Sequence, residues 1–254
     1  RILTATAKEP LKIKHKGLGY IIYFDLVSFS LSSNKLNYFG YTKYENLKGS
    51  KRKQRIWKKN RLKAFNGSKM HFIKTLANGT TKKEGFLIKR FRRELNPKRP
   101  TEKQITQARQ FVKLSGIKSV SFFKDIQEAK TPIDSAMLVL RKASLPKFVT
   151  YINKNESPAK EFIEKKGNNI VLSFKDYISV TYTKEPEEDN YVMGFFGKRR
   201  KTAGTQTSSV VITKNPVIIK YDTEIVNPLN IFCEGYWAFE QFADALPLNY
   251  IPNK

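Results

Sequence analysis

Side chains that could carry acid–base, nucleophilic or metal chemistry are few and scattered in this 254-residue chain. It has two histidines, His15 and His71, and one cysteine, Cys233. A zinc site needs three or four His, Cys or carboxylate ligands, and neither an HxH nor an HExxH spacing occurs. We therefore predict no metal site. We interpret both histidines as packed or surface residues and Cys233 as a small apolar residue rather than a nucleophile.

The motifs that bind phosphates or activate a serine are also missing from the sequence. GxxxxGK[ST], GxGxxG and GxSxG do not occur. The GLG at residues 17–19 precedes a predicted strand, whereas a phosphate loop opens a helix. The sequence thus predicts a protein that is not an enzyme and has no cofactor and no catalytic residues.

Paired carboxylates are a catalytic arrangement that short motifs do not reveal. A glycosidase needs two acids separated by about 5–10 Å, and only the fold would show such a pair. The chain has one local group of acids, which we interpret as a solvated loop around Pro186: Glu185, Glu187, Glu188 and Asp189. A hydrolase remains a less favoured alternative.

The strongest compositional signal is positive charge. Lys and Arg number 48 against 22 Asp and Glu, which gives a formal net charge of +26. Such a charge attracts nucleic acid, anionic lipid head groups, acidic glycans and acidic proteins over long distances. It therefore indicates an anionic partner but does not indicate a fold.

The charge is densest in residues 48–63, which contain nine basic residues and no acid. Trp57 lies within this run and could stack on a base or sugar, or insert at a membrane interface. The alternative is a solvated basic helix whose Trp57 packs into the core. Two shorter runs supply further candidates. The predicted anion-binding or partner-binding residues are Lys51, Arg52, Lys53, Arg55, Trp57, Lys58, Lys59, Arg61, Lys63, Arg90, Arg92, Arg93, Lys198, Arg199, Arg200 and Lys201.

Two helices are predicted to hold the basic run. Ser50 is a suitable N-cap, and residues 51–78 carry good helix formers without β-branched runs. Gly67 should divide them into helices 51–65 and 68–77, and Asn78-Gly79 should end the second. Alternation of apolar and polar residues before this region predicts an antiparallel meander with strands at 2–7, 11–13, 18–31 and 35–44.

The later sequence mixes both kinds of element. Strands are predicted at 85–91, 147–152, 170–184 and 208–221. Helices are predicted at 101–116, 135–143 and 234–247, and a helix with a turn at 154–169, while 94–100 reads as a loop. The fold class is therefore α+β: antiparallel β-sheets with a helical insertion near 50–80 and a short C-terminal helix.

Length permits one α+β domain over 1–254, or two closely packed subdomains, 1–95 and 96–254. No apolar run reaches the roughly 18 residues of a membrane-spanning helix. Because the chain begins with Arg1 rather than Met, we expect it to start inside a longer precursor.

Three stretches of the sequence form a distinctive pattern: EPLKIKHKGLGYIIYFDLVSF (9–29), the long block from YFGYTKYENLKGS to KKEGFLI (38–88), and GYWAFEQFADALPLNYIP (235–252). Together they resemble a family of Bacteroidota envelope proteins called carboxypeptidase-like regulatory domain-containing proteins. The match is weakest over about 95–220. Residues of the basic region that fall on the family pattern are Lys51, Arg52, Trp57, Lys59, Asn60, Arg61, Gly67, Ser68, His71 and Phe72.

The resemblance implies a secretory signal and a carboxypeptidase-regulatory-like β-sandwich upstream, the latter largely absent from this chain. It implies no peptidase activity, because the regulatory domain is not the catalytic one. It implies a location in the cell envelope, at the outer-membrane surface or in the periplasm, where the less favoured hydrolase would act on envelope polymers. There the protein would dock onto a complex for secretion, outer-membrane protein assembly or TonB-dependent uptake.

An envelope location also changes the expected anion. Lipopolysaccharide, an acidic glycan or an acidic face of an outer-membrane protein becomes a better candidate than nucleic acid, which stays an alternative. The resemblance further implies that part of the basic run is a structural element of the family.

Overall fold

The computed structural model describes residues 2–32, 35–116, 129–193, 202–220 and 223–252. It confirms the predicted α+β class, with antiparallel sheets, helices and a short C-terminal helix. The chain forms two compact units: unit 1 comprises residues 1–90 and 153–254, and unit 2 comprises 91–152. This division differs from the alternative of subdomains 1–95 and 96–254, because the later residues return to unit 1.

The first sheet contains β1 (Leu3–Ala5), β2 (Leu11–His15), β3 (Tyr20–Ser32) and β4 (Lys35–Asn46). β4 pairs along one edge of β3, while β2 and β1 follow each other along the opposite edge, all antiparallel. The predicted meander is thus confirmed.

One face of this sheet is buried. Alternate residues of β3 point inward, which is the period-2 pattern of a half-buried strand. Two of them, Tyr20 and Ile22, join residues from outside the sheet in what we call the first-sheet cluster, composed of Leu18, Tyr20, Ile22, Ala64, Phe65 and Leu246.

Two helices follow, α1 (Lys51–Phe65) and α2 (Lys69–Asn78). Ser50 accepts a hydrogen bond from the backbone N–H of Lys53, as an N-cap should. Gly67 separates the helices with φ of 75°, and Gly79 ends α2 in the left-handed region with φ of 67°. Glycine adopts this backbone at little cost, so the predicted helix limits are confirmed to within one residue.

β5 (Phe86–Leu95) leads from unit 1 into unit 2. Its residues 91–95 pair antiparallel with a later strand, which gives unit 2 a two-stranded ribbon. Leu95 lies opposite Phe148, so Glu94 and Leu95 belong to the strand. The prediction of a loop over 94–100 was therefore wrong for these two residues.

Unit 2 also contains α3 (Glu102–Leu114), α4 (Pro132–Lys142) and β6 (Phe148–Ile152). Thr101 and Thr131 cap the two helices in capping boxes. The predictions of a helix over 101–116 and a strand over 147–152 are confirmed. The helix predicted at 135–143 begins earlier, at Pro132.

In the second half of unit 1, the helix predicted over 154–169 is not formed. Residues 154–169 contain a single 3₁₀ turn, Ala159–Glu161, and then the antiparallel pair β7 (Ile163–Lys166) and β8 (Asn169–Leu172). Lys and Glu in EFIEKK favoured a helix by propensity. The turn at Gly167, with φ of 57°, and burial of Ile170 and Leu172 favour a hairpin instead.

The remaining strands complete two sheets of unit 1. They are β9 (Tyr177–Pro186), β10 (Thr205–Ile212), β11 (Val217–Ile219) and β12 (Ile231–Gly235). One sheet has the order β12-β10-β9-β5, and the other has the order β11-β8-β7. Both sheets and α2 supply side chains to what we call the main cluster. It is composed of Phe72, Ile73, Leu76, Phe86, Ile88, Phe162, Ile170, Leu172, Phe174, Ile178, Val180, Tyr182, Val210, Val217, Ile219 and Ile231.

Two short helices belong to the closing part of unit 1, α5 (Asp189–Val192) and α6 (Tyr236–Glu240). The predicted continuous helix over 234–247 is interrupted at Gln241, whose φ is 40°, and a 3₁₀ turn follows. The break turns Phe242 toward the first sheet, where its ring stacks on Tyr38 at 5.4 Å. Among the described residues, no helix is long and apolar enough to cross a bilayer.

Candidate anion-binding site

Trp57 fixes α1 to the rest of unit 1. Its indole Nε1 donates a hydrogen bond of 2.8 Å to the carbonyl of Lys16, and only 8% of the residue is exposed. Gly19 and Gly49 both lie against the ring. Trp57 is thus a packed anchor, which is the second of the two interpretations that the sequence left open.

Asn60 and Arg61 bind the same loop, one helical turn further along. Asn60 Nδ2 donates to Gly17 O at 2.8 Å, and Arg61 Nε donates to Leu18 O at 2.7 Å. The Arg61 guanidinium also lies 3.8 Å from the centre of the Tyr20 ring. Arg61 was predicted to bind an anion, but its guanidinium faces carbonyl oxygens and an aromatic ring. It therefore serves the fold.

Lys63 is also engaged within the protein. Its Nζ donates to Glu188 Oε1 at 2.6 Å, and this hydrogen bond raises the pKa of Lys63. The candidates Trp57, Arg61 and Lys63 therefore hold α1 in place.

Six candidate cations of α1 remain exposed to solvent. Within the described part of the chain, none of them contacts a carboxylate. They are Lys51, Arg52, Lys53, Arg55, Lys58 and Lys59. A helix that is anchored on one side thus presents unneutralised charge on the rest of its surface.

The helical period sorts these cations into two sides. Lys51, Arg55 and Lys58 are spaced i, i+4, i+7 and share one side, which we call the groove row. Arg52 and Lys59 are seven residues apart and lie about a quarter turn around the helix from the groove row; we call them the far row, and Lys53 belongs to neither row.

The groove row borders a surface groove of about 610 Å³. Its walls combine cationic, amide and apolar side chains, and no carboxylate is among them. The lining residues are Asn46, Leu47, Lys51, Gln54, Arg55, Trp57, Lys58, Arg61, Tyr250 and Ile251. The contribution of residues 250 and 251 was not predicted, because nothing in their local sequence marks them as neighbours of α1.

The other basic candidates do not join this groove in the described structure. Arg90, in unit 1, pairs with Glu161 at 3.3 Å and lies 4.5 Å from the Phe162 ring centre. In unit 2, Arg92 pairs with Glu94 at 2.8 Å, and Arg93 lies over the ring of Phe91. The candidates Lys198, Arg199, Arg200 and Lys201 lie outside the described residues.

The acidic group near Pro186 is not the solvated loop that the sequence predicted. Glu187 is only 5% exposed and accepts a hydrogen bond from the backbone of Gly204 at 3.1 Å. Glu185 accepts from the side-chain amides of Asn66 and Gln206. The prediction was wrong for Glu185 and Glu187, because β9 continues to Pro186 and brings them close to the end of α1, whereas Glu188 balances a basic neighbour, Lys63.

Glu240 and Asp244 belong to the same acidic region. Burial, reinforced by Asp244, Glu188 and Glu185, raises the pKa of Glu240 from 4.5 to about 8. Burial also raises the pKa of Asp244. The region can hold a proton near neutral pH, although no three described His, Cys, Asp or Glu side chains are arranged to bind a metal ion.

The isolated chemistry-bearing residues of the sequence serve the fold. His71 is 6% exposed, and its Nδ1 accepts a hydrogen bond from Gly67 N at 3.2 Å. His15 Nδ1 accepts from Leu18 N at 3.0 Å, within the loop that holds α1. Burial raises the pKa of the Cys233 thiol, which disfavours the nucleophilic thiolate.

Comparison with protein-family models, with curated proteins and with solved structures finds no match. What bears on the function of this protein is therefore the geometry of α1 and its groove.

Proposed function

We propose that the protein is a non-catalytic accessory module of the bacterial cell envelope that docks onto an outer-membrane protein complex through the exposed cations of α1. One observation carries the proposal: α1 is held rigidly by Trp57, Asn60 and Arg61, while six of its cations have no acidic partner in the described structure. The envelope and the complex come from the sequence resemblance.

Keeping these like charges together on one helix costs free energy of folding, and a partner would remove that cost. Like charges at i, i+4 spacing on a helix destabilise it by about 0.2–0.5 kcal/mol per pair. An acidic surface on a partner would remove this repulsion and would accelerate association by electrostatic steering. A row of unneutralised cations on an anchored helix is therefore better explained by a partner than by folding.

Affinity capture from native membranes tests this function. The wild-type protein should recover a membrane complex, and a variant with Arg52, Arg55, Lys58 and Lys59 changed to Gln should lose it. A control variant loses the same charge elsewhere in unit 1, at exposed Lys154, Lys160, Lys165 and Lys175, and should still recover the complex. Recovery of only the free wild-type protein would contradict the proposal.

Nucleic-acid binding is the second candidate, and the same six cations favour it. Its affinity would fall steeply with salt, with a logarithmic slope of about −0.9 for each phosphate contacted. Titration of single-stranded and duplex DNA and RNA at low ionic strength separates the two functions. Absence of binding under these conditions would exclude it, and nuclease-resistant recovery of a membrane complex would favour the docking function.

A further inference from the structure

We propose that the groove beside α1 is a binding site for a ligand that carries a phosphate monoester next to an apolar group. The groove row would hold the phosphate, and the wall formed by Leu47, Tyr250 and Ile251 would hold the apolar part. This inference rests on the proposed function, because it assigns a ligand to one side of the docking helix.

The groove row has the charge that a phosphate needs. With a rise of 1.5 Å per residue, Lys51, Arg55 and Lys58 place three cations along about 10 Å of one helix side. A phosphate monoester carries a charge of about −1.5 to −2 at neutral pH, and a single carboxylate carries only −1. The planar fork of Arg55 can also donate two parallel hydrogen bonds to phosphate oxygens.

The facing wall is apolar and held in place. The side chain of Ile251 is 75% exposed, although it borders a groove rich in cations. The neighbouring Tyr250 is fixed, since its ring centre lies 5.8 Å from that of Phe65 and its carbonyl accepts a hydrogen bond from Lys74 Nζ. The groove of about 610 Å³ lies within the range of small-molecule sites, roughly 300–1,000 Å³.

The polar side chains of the groove argue against an acidic peptide as the occupant. A bound peptide needs partners for its backbone N–H and C=O groups. Gln54 Nε2 already donates to Gly49 O at 3.0 Å, and Asn46 Oδ1 already accepts from Arg61 at 3.2 Å. One polar group of each amide is thus already engaged within the protein, which leaves fewer partners for a peptide backbone, while the cations and the apolar wall of the groove are available.

Calorimetric titration with phenyl phosphate tests the site directly. The groove variant is Lys51→Gln, Arg55→Gln and Lys58→Gln. The matched control is Arg52→Gln, Lys53→Gln and Lys59→Gln, which removes one Arg and two Lys from the same helix outside the groove. We expect the groove variant to weaken binding by about tenfold or more, and the control by about twofold or less, because Arg52, Lys53 and Lys59 do not line the groove and act on a bound anion only through solvent.

The apolar wall has its own test. Ile251→Ser should weaken binding of phenyl phosphate but leave binding of inorganic phosphate unchanged. The 75% exposure of Ile251 makes a folding defect unexpected, and circular dichroism would check this. Equal weakening of both probes, or no effect on either, would overturn the role of the wall.

Two further binding experiments identify the kind of molecule that carries the phosphate. Co-sedimentation with phosphatidylcholine vesicles containing phosphatidic acid, reduced in the groove variant only, would indicate a lipid head group. Groove-dependent binding of phenyl phosphate without vesicle binding would indicate a soluble phosphate ester. Tighter groove-dependent binding of an acidic peptide than of phenyl phosphate would overturn the proposal.

Different experimental results would overturn the phosphate site and the docking function. Absence of phenyl phosphate binding, or equal losses in the groove variant and its control, would overturn the phosphate site. Capture of the membrane complex by the wild-type protein would still support the docking function in that case.

Discussion

The indole ring of Trp57 lies so close to Gly19 that a β-carbon at position 19 would be 2.2 Å from Trp57 Cδ2. A β-carbon at Gly49 would be 2.5 Å from Cη2 of the same ring. Real atoms do not approach this closely without displacement, so both positions require glycine. The orientation of the basic helix therefore depends on two residues that carry no side chain.

Gly19→Ala should destabilise the protein by about 2–4 kcal/mol, because it combines a steric clash with a φ of 72° that alanine adopts poorly. Urea denaturation measures the change. Gly17→Ala is the matched control, since its nearest neighbour would be His15 Cε1 at 3.4 Å. An equal effect at both positions would contradict the specific contact between Gly19 and Trp57.

Arg61→Lys should cost about 1–2 kcal/mol of stability although it conserves charge. A lysine cannot reproduce the hydrogen bonds to the carbonyls of Leu18 and Gly19, nor the stacking of a planar guanidinium on Tyr20. Thermal denaturation at matched pH would show the loss. Unchanged stability would mean that Arg61 is dispensable for holding the loop.

Glu240→Gln should change how stability depends on pH. The pKa of Glu240 is raised from 4.5 to about 8, so the folded state holds a proton that the unfolded state has released between these values. Folding stability contributed by this group is therefore complete at acid pH and is lost as the pH rises through the folded pKa.

Melting curves from about pH 4 to pH 9 test this, and the variant should be about 1–2 kcal/mol more stable than wild type at the alkaline end. At the acid end the two proteins should be similar, because Glu240 is then protonated in both states. A constant gain at every pH would point to packing rather than charge.

Neutralising the groove row should not harm the fold. Lys51 and Arg55 are like charges at i, i+4, so changing Lys51, Arg55 and Lys58 to Gln should raise stability by about 0.3–1 kcal/mol at low ionic strength. The gain should disappear in concentrated salt, which screens the repulsion. A loss of stability would instead identify these side chains as structural.

The helices that carry the site could be predicted because their limits are local. Ser50 caps α1, and Gly67 and Gly79 supply the left-handed backbone at the two breaks. The division into a groove row and a far row also follows from helical spacing. The opposite wall could not be predicted, since Ile251 reaches α1 only through the tertiary fold.

The acidic region shows the other limit of local reasoning. Acids beside a proline usually indicate solvated loops, yet Glu187 is buried and Glu185 is hydrogen-bonded to Asn66, which lies 119 positions earlier in the chain. The hairpin β7–β8 was mistaken for a helix because its Lys and Glu residues favour helices. Burial of Ile170 and Leu172 against other elements decided the outcome.

Leu246 packs with Leu18, Tyr20 and Ile22, and Trp237 packs against the main cluster and donates a hydrogen bond to Gly67 O. Neither hydrophobic cluster of unit 1 is complete until residues near 240 are available. Contacts between such distant residues slow folding because the loop must close before they form. While the chain is being synthesised, unit 1 therefore remains incomplete until its last strands and turns emerge.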